Sequence, residues 1–387
     1  MHDQFQDLTI IGGGVMGLFT AYYASAFVKN ITILEKATVS SDNKQAASFS
    51  YTRSIRNDYL DPLYAQLAYE ARGLWLDLQR TAEASFLIEC GCLNLAKKSV
   101  TPNLATTYAV QSYDVLRQLH LRAEEFDSAT LQRRFPQFDV DLARLDVEAG
   151  LLYVPEVTRT LLSVLRERGV RILEHVDVQR ITQRDQQLLI DTDQGEFRTH
   201  KLVVTAGLGT NGVLERVDNC RVAFPLSPDR PSQAKYFIPS AKKWEQFTSK
   251  SLPVFAYLDV GIYGHPIYAD KVPGVKIGFY NPPDIKTLNA AIRDVKSFVE
   301  ECMPSLRDAE TVDVTEVDQC FYDLVADDNF ILGDIPDFPH IIVGVGWRGT
   351  GYKYASWIGR TLMQVALQGR TVYNIERFSP HRFSQTS

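Results

Sequence analysis

Leu8-Thr-Ile-Ile-Gly-Gly-Gly-Val-Met-Gly17 decides the fold. A β-branched strand runs directly into Gly12-x-Gly14-x-x-Gly17, which opens a helical run from Leu18 to Phe27. Ile31-Thr-Ile-Leu-Glu35 then supplies a second strand, ending in an acid about twenty residues beyond the first glycine. Gly12 allows a tight turn, Gly14 lets backbone approach a pyrophosphate, and Gly17 lets helix and strand pack closely. The helix start offers unpaired amides and the positive end of its dipole to phosphate. Glu35 can accept hydrogen bonds from a ribose, with Lys36 adjoining it as a further cofactor-site candidate. A glycine triplet alone is a weak signal. Strand, spacing and acid together read as a dinucleotide site in an α/β fold.

With 387 residues the chain is too long for one simple core and reads as two domains. Apolar residues make up 45% and charged residues 23%, an ordinary globular balance. A net charge of −6 gives no general electrostatic reason to bind nucleic acid or an anionic membrane. No apolar run approaches the ~20 residues of a membrane span. The first strand starts at Leu8, leaving no room for a signal peptide, and Ser-Gln-Thr-Ser at the end is not a peroxisomal tripeptide. The cytoplasm is the expected compartment, and a monomer the expected state. Cys90, Cys92, Cys220, Cys302 and Cys320 lack metal-ligand spacing, so no metal is expected.

Working outward, Leu63, Leu67, Ala71, Leu74 and Leu78 make one face of a helix starting at Pro62, with Asp61 as its cap. Residues 86–145 mix short strands, between Ala84 and Leu95, with a helix around Thr106 to Arg122, and read as an insertion. A helix from Glu156 ends at Gly169, and strands follow at Val170, Leu188 and Lys201, the second pair joined by Asp193-Gln-Gly195. Strands at Val254–Tyr257, Gly261–Tyr263 and Val275–Tyr280 indicate an antiparallel sheet within 216–319, followed by a helix with Leu288, Ile292, Val295, Val299 and Cys302 on one face. Asn329–Asp334, His340–Gly346 and a helix from about Tyr354 close the chain. The expected division is a discontinuous nucleotide domain (1–85, 146–215 and 320–387) interrupted by a substrate domain (86–145 and 216–319).

Three further blocks narrow the reading. Tyr51-Thr-Arg-Ser-Ile-Arg56, with Tyr59 and Ala71-Arg-Gly-Leu-Trp75, resembles the arginine-rich block of the monomeric sarcosine oxidase family. Gly261-Ile-Tyr-Gly-His-Pro266 and Val275-Lys-Ile-Gly278 resemble its active-site strands. Cys320-Phe-Tyr-Asp, Asn329-Phe-Ile-Leu-Gly-Asp and Gly346-Trp-Arg-Gly-Thr-Gly-Tyr-Lys353 resemble its C-terminal signature. The blocks keep the family's order across nearly the whole chain. The resemblance implies a D-amino-acid-oxidase-like architecture: a Rossmann-like FAD-binding domain interrupted by an α+β substrate domain.

It also implies roles. Cys320 would carry FAD through a thioether; Lys276 would lie near flavin N5 and favour electron acceptance by dioxygen. Arg56 and Lys353 would hold a substrate carboxylate, arginine through paired hydrogen bonds and lysine as a point charge. Thr52 and Arg53 would lie beside the isoalloxazine ring, Arg53 tuning its charge. Tyr263 and Tyr280 would line the amine pocket, and Gly349, Thr350, Gly351 and Lys353 would complete the cofactor site. Without the resemblance, Cys320 is an ordinary buried thiol, Lys276 an edge-strand lysine reaching solvent, and Arg56 and Lys353 ordinary surface cations or partners for Asp58 and Asp61.

The departures fall in the pocket lining. The family's histidine after the strand lysine is absent from Lys276-Ile-Gly-Phe-Tyr280, its C-terminal histidine is replaced by Thr350, and the loop between Pro266 and Lys276 is slightly longer. The implied activity is an FAD-dependent oxidase of an amino acid, a secondary amine (N-methyl or cyclic) being favoured, giving an imine and hydrogen peroxide. An oxidase or dehydrogenase of a primary amino acid or simple amine, and a catalytically silent flavin-binding subunit, stay open. A nicotinamide dehydrogenase would leave the C-terminal signature unexplained.

Overall fold

The computed structural model describes residues 5–40, 46–48, 50–229, 233–268, 271–279, 291–314 and 321–383. Two compact units result: Met1–Phe49, Pro155–Arg230 and Cys320–Ser387 form one, Ser50–Val154 and Pro231–Gln319 the other.

In the first unit, strand Gln6–Ile11 lies between Ile31–Leu34 and Gly195–Val204, parallel to both. Leu8, Thr9, Ile10, Thr32 and Ile33 are all fully buried, as expected of a parallel strand covered on both faces. Arg171–Leu173 extends the sheet beyond Ile31–Leu34, and Phe338–Val345 joins Gly195–Val204 in parallel near its end. The expected hairpin through Asp193 joins Gln187–Thr192 to Gly195–Val204. Helices Val15–Ala24 and Ala355–Gln368 pack against each other.

The second unit holds an eight-stranded sheet, in the order Glu310–Asp313, Gln233–Ile238, Val275–Phe279, Ile262–His265, Val254–Tyr257, Cys92–Ala96, Leu142–Asp146, Ala123–Asp127. All neighbours are antiparallel except Val254–Tyr257 with Cys92–Ala96. Its core includes Phe138, Phe255 and Phe298, the last two stacked at 6.0 Å. Helix Pro62–Thr81 begins as the sequence indicates: the Asp61 side chain accepts from Leu63 N at 2.9 Å, and Pro62 needs no partner for a missing N–H.

The division between units differs from the expected one at three places. Strand Thr52–Ile55 pairs with Gly150–Tyr153, which carries residues 50–85 and 146–154 into the second unit. Residues 216–229 stay with the first, because Leu226–Asp229 pairs with Tyr322–Val325 and Asp218 N donates to Ile181 O at 2.9 Å. A strand followed by an amphipathic helix reads the same locally in either unit; only its partner strand settles the assignment. No helix among the described residues is long and apolar enough to cross a membrane.

Candidate active site

The first unit builds a turn-and-helix cradle. Strand Gln6–Ile11 ends in Gly12, whose φ is +106°, and a Cβ there would lie 2.6 Å from the Thr205 carbonyl oxygen. At Gly17 an added Cβ would meet the Gly12 carbonyl oxygen at 2.0 Å. Glu35 ends the neighbouring strand and braces this turn: Oε2 accepts from Gly13 N at 2.7 Å and Oε1 from Ala37 N at 2.9 Å. Each oxygen retains acceptor capacity for a hydroxyl. Lys36 is exposed. Gly14 offers no side-chain cap to helix Val15–Ala24; instead Ser48 Oγ accepts from Val15 N at 3.1 Å.

The C-terminal glycine turn belongs to the same unit. Asp323 accepts from Gly346 N at 2.9 Å and Trp347 N at 3.0 Å through its two carboxylate oxygens, while its carbonyl accepts from Arg348 N at 3.2 Å. Gly349 is exposed and Thr350 half-buried. A Cβ at Gly351 would come within 3.2 Å of Met16 Cε, which sets this turn against the first turn of helix Val15–Ala24. Lys353 is buried and donates to the Thr350 carbonyl at 3.2 Å.

The second unit gathers Lys276, Thr52 and Tyr263 on neighbouring strands. Lys276 is 3% exposed, on a strand flanked on both sides, with Tyr236 and His265 as its register partners. That disposes of the edge-strand alternative. Its ammonium donates to Ser50 Oγ at 3.4 Å. Thr52 Oγ1 and buried His265 Nδ1 share a hydrogen bond of 2.9 Å. The Tyr263 ring lies over Gly278, where a Cβ would be 2.1 Å from the ring. Arg53, half-buried opposite Leu152, acts electrostatically on Tyr236, whose phenol burial pushes well up.

Arg56 sits in a polar cluster of this unit. Its Nη1 donates to Asp58 Oδ1 at 2.6 Å and the Asp58 carbonyl at 3.0 Å, and the guanidinium lies 4.8 Å from the Tyr59 ring centre. Asp58 Oδ2 also accepts from Asn94 Nδ2. Burial opposes the charge on Arg56, but Asp58 together with Tyr108, Tyr59 and Cys92 outweighs it and holds the guanidinium pKa above its usual value. Asp146, which accepts from Asn57 N at 2.6 Å, is pushed well above the usual carboxylate range by burial and by the charge of Asp58.

A family model described as FAD dependent oxidoreductase matches residues 7–365. The chain belongs to that family. Human peroxisomal sarcosine oxidase is 27% identical, over 97% of this chain and 96% of the relative. Monomeric sarcosine oxidase of Arthrobacter sp. (strain TE1826) is 24% identical, over 97% and 96%. These relatives bear out the resemblance read from the sequence. Among solved structures, L-proline dehydrogenase from P. horikoshii superposes with a TM-score of 0.80 at 17% identity, covering 99% of this chain and 98% of that one, a likeness of fold.

The first unit of this FAD-dependent oxidoreductase fits the cofactor. Added Cβ atoms would obstruct the turn at Gly12 and Gly17, the helix start lacks a cap from Gly14, and Glu35 is fixed beside it. Cys320 and Tyr280 lie outside the described residues.

Three contributors carried no assigned role in the sequence. Asp323 and His265 stood inside quoted motifs without one, and Ser48 gave no signal beyond proximity to them; Asp58 was readable as an ion-pair partner, and the structure pairs it with Arg56. For Asp323 the consequence is measurable. Asp323→Ala orphans two buried amides, each costing on the order of 1–3 kcal/mol, so thermal unfolding should shift clearly downward. Burial pushes the Asp323 carboxyl up to about 6 despite the amides of Gly346 and Trp347. The folded state therefore binds this proton more readily than the unfolded state. This group's contribution to stability rises as pH falls from about 7 toward 4. Asp323→Asn should lack that component of the pH dependence in parallel melts.

Proposed function

We propose that this enzyme is an oxidase of amino acids, with secondary amines such as N-methyl or cyclic amino acids preferred. The reaction converts amine and dioxygen into imine and hydrogen peroxide. Bound FAD would supply the two-electron relay between the two half-reactions. The burial of Lys276 inside a sheet is the observation that supports the oxidase reading, because a cation shielded from water acts more strongly on charge developing near it. Its positive field favours negative charge developing on dioxygen.

The remaining roles follow the resemblance and suit the observed settings. Thr52, steadied by His265, and Arg53 serve the isoalloxazine; Tyr263, fixed over Gly278, is a wall of the amine pocket. Arg56 and Lys353 receive the substrate carboxylate, and Glu35 with the glycine turns holds the nucleotide portion. Tyr280 and Cys320 keep the pocket and thioether roles implied by the family. No strong general base is required, since surrounding charge tunes substrate deprotonation.

Anaerobic mixing with N-methyl amino acids, proline and pipecolate should bleach the flavin, and admission of air should yield one peroxide per substrate oxidised. Bleaching without peroxide would identify a dehydrogenase, and no bleaching across primary and secondary amines a silent subunit. In the same preparations, acid precipitation should leave the yellow colour with wild-type protein and release it from Cys320→Ala. Colour released wholly from flavin-replete wild type would rule out the thioether.

A further inference from the structure

Arg56 already has a carboxylate. Asp58 is 1% exposed and Arg56 11%, so their 2.6 Å contact is well shielded from water. Asp58 has little freedom to leave: Asn94 Nδ2 donates to its other oxygen, and Tyr108 Oη donates to its carbonyl at 2.9 Å. Around the pair lie the rings of Tyr59 and Tyr108, the buried thiol of Cys92, and Asp146 behind Asn57. Burial and the Asp58 charge keep Cys92 protonated, so it does not replace Asp58 as the counter-charge.

A ligand carboxylate approaching Arg56 therefore meets a nearly neutral pair, not an open cation. It must share a guanidinium whose Nη1 is committed, and it lies near the resident carboxylate. Both effects penalise every carboxylate ligand and leave a ligand without one untouched.

We propose that Asp58 is a specificity-determining residue that weakens the site's demand for a substrate carboxylate by cancelling the charge of Arg56. Amines lacking an α-carboxylate then fall less far behind the corresponding amino acids than they would with an unpaired Arg56, Lys353 remaining as the second carboxylate receiver. This rests on the reading of Arg56 as a carboxylate receiver.

The test uses FAD-loaded wild type, Asp58→Asn, Asp58→Glu, Arg56→Gln and the Arg56→Gln/Asp58→Asn double variant. Two matched pairs serve as probes: sarcosine with dimethylamine, and N-methylphenylalanine with N-methylphenethylamine. Benzoate binding is followed separately through the flavin absorbance. In Asp58→Asn the acid-to-amine ratio of kcat/KM should rise by about tenfold or more, through KM for the acid, and benzoate should bind about tenfold tighter. Asp58→Glu, which keeps the charge, should retain the wild-type ratio. Adding Asp58→Asn to Arg56→Gln should bring no gain. If Arg56→Gln weakens acids and benzoate but Asp58→Asn alters neither, the Asp58 inference is overturned while the carboxylate reading stands. If Arg56→Gln leaves acids and benzoate unchanged, the carboxylate reading falls and the inference with it. Should Asp58→Asn not fold, Asp58→Ser, which also removes the charge, should move both quantities in the same direction; no movement overturns the proposal.

Discussion

Lys276→Met should slow oxygen consumption by the pre-reduced enzyme by ~10²–10³, the usual loss when one preorganised electrostatic contact is removed from a reacting centre. Anaerobic reduction by substrate should change far less. Methionine matches lysine in length and is better suited to a dry sheet interior, so the variant should fold. The two half-reactions can be timed separately by stopped flow. Equal rates of reoxidation, within a factor of a few, would remove Lys276 from oxygen chemistry. Its burial would then need another explanation, with the Ser50 contact as the place to look.

Gly12→Val should yield protein that cannot retain FAD. The native φ of +106° is strained for any side chain, and the first added carbon already sits 2.6 Å from the Thr205 carbonyl. The atoms it would meet, the Thr205 carbonyl and Ala206 N, are backbone and cannot swing away as a flexible side chain could. Strain and displacement together should cost on the order of 3 kcal/mol or more, over about a hundredfold in FAD affinity. Reconstitution with excess FAD, followed by fluorescence, gives the dissociation constant, and circular dichroism separates lost binding from lost folding. Wild-type affinity in the variant would mean that the turn at Gly12 does not form the phosphate cradle.

The nucleotide-binding turn and, in the second unit, the start of helix Pro62–Thr81 were legible because their signals are local. The glycine spacing, Glu35 and the Asp61–Pro62 helix start each act within a few residues or at a fixed offset, and each recurs in the structure. Unit membership was not legible, because Thr52–Ile55 is assigned by a strand nearly a hundred residues later in the chain. The helix expected to begin near Glu156 starts earlier, at Val154, an ordinary uncertainty of helix ends.

Within the site, residue identity and short-range pairing were readable, and pairing between strands was not. Arg56 stands out in any scan for a carboxylate receiver, with Asp58 two residues on as an ion-pair partner, yet the hold of Asn94 on Asp58 comes from another strand. His265 was visible only as a letter in a motif; its bond to Thr52 arises from two strands that meet in space. The departures in the strand and glycine-turn histidines flagged an altered pocket, but not which residues define it.

The interleaving of the two units bears on how the chain can be synthesised. The first unit needs strand Phe338–Val345 and helix Ala355–Gln368 to complete a sheet and helix pair begun at residues 6–24. The second needs Glu310–Asp313 to finish the sheet that Cys92–Ala96 starts. Neither unit can close early in translation, and their long-range pairings favour slow assembly over independent folding from the N-terminus. During that wait strand Gly195–Val204 lacks Phe338–Val345 and helix Val15–Ala24 lacks Ala355–Gln368, which leaves apolar surface open to chaperone capture or mispairing. Ribosome-released fragments ending before residue 331 should therefore be markedly more protease-sensitive than the full chain, even though they contain the entire glycine fingerprint.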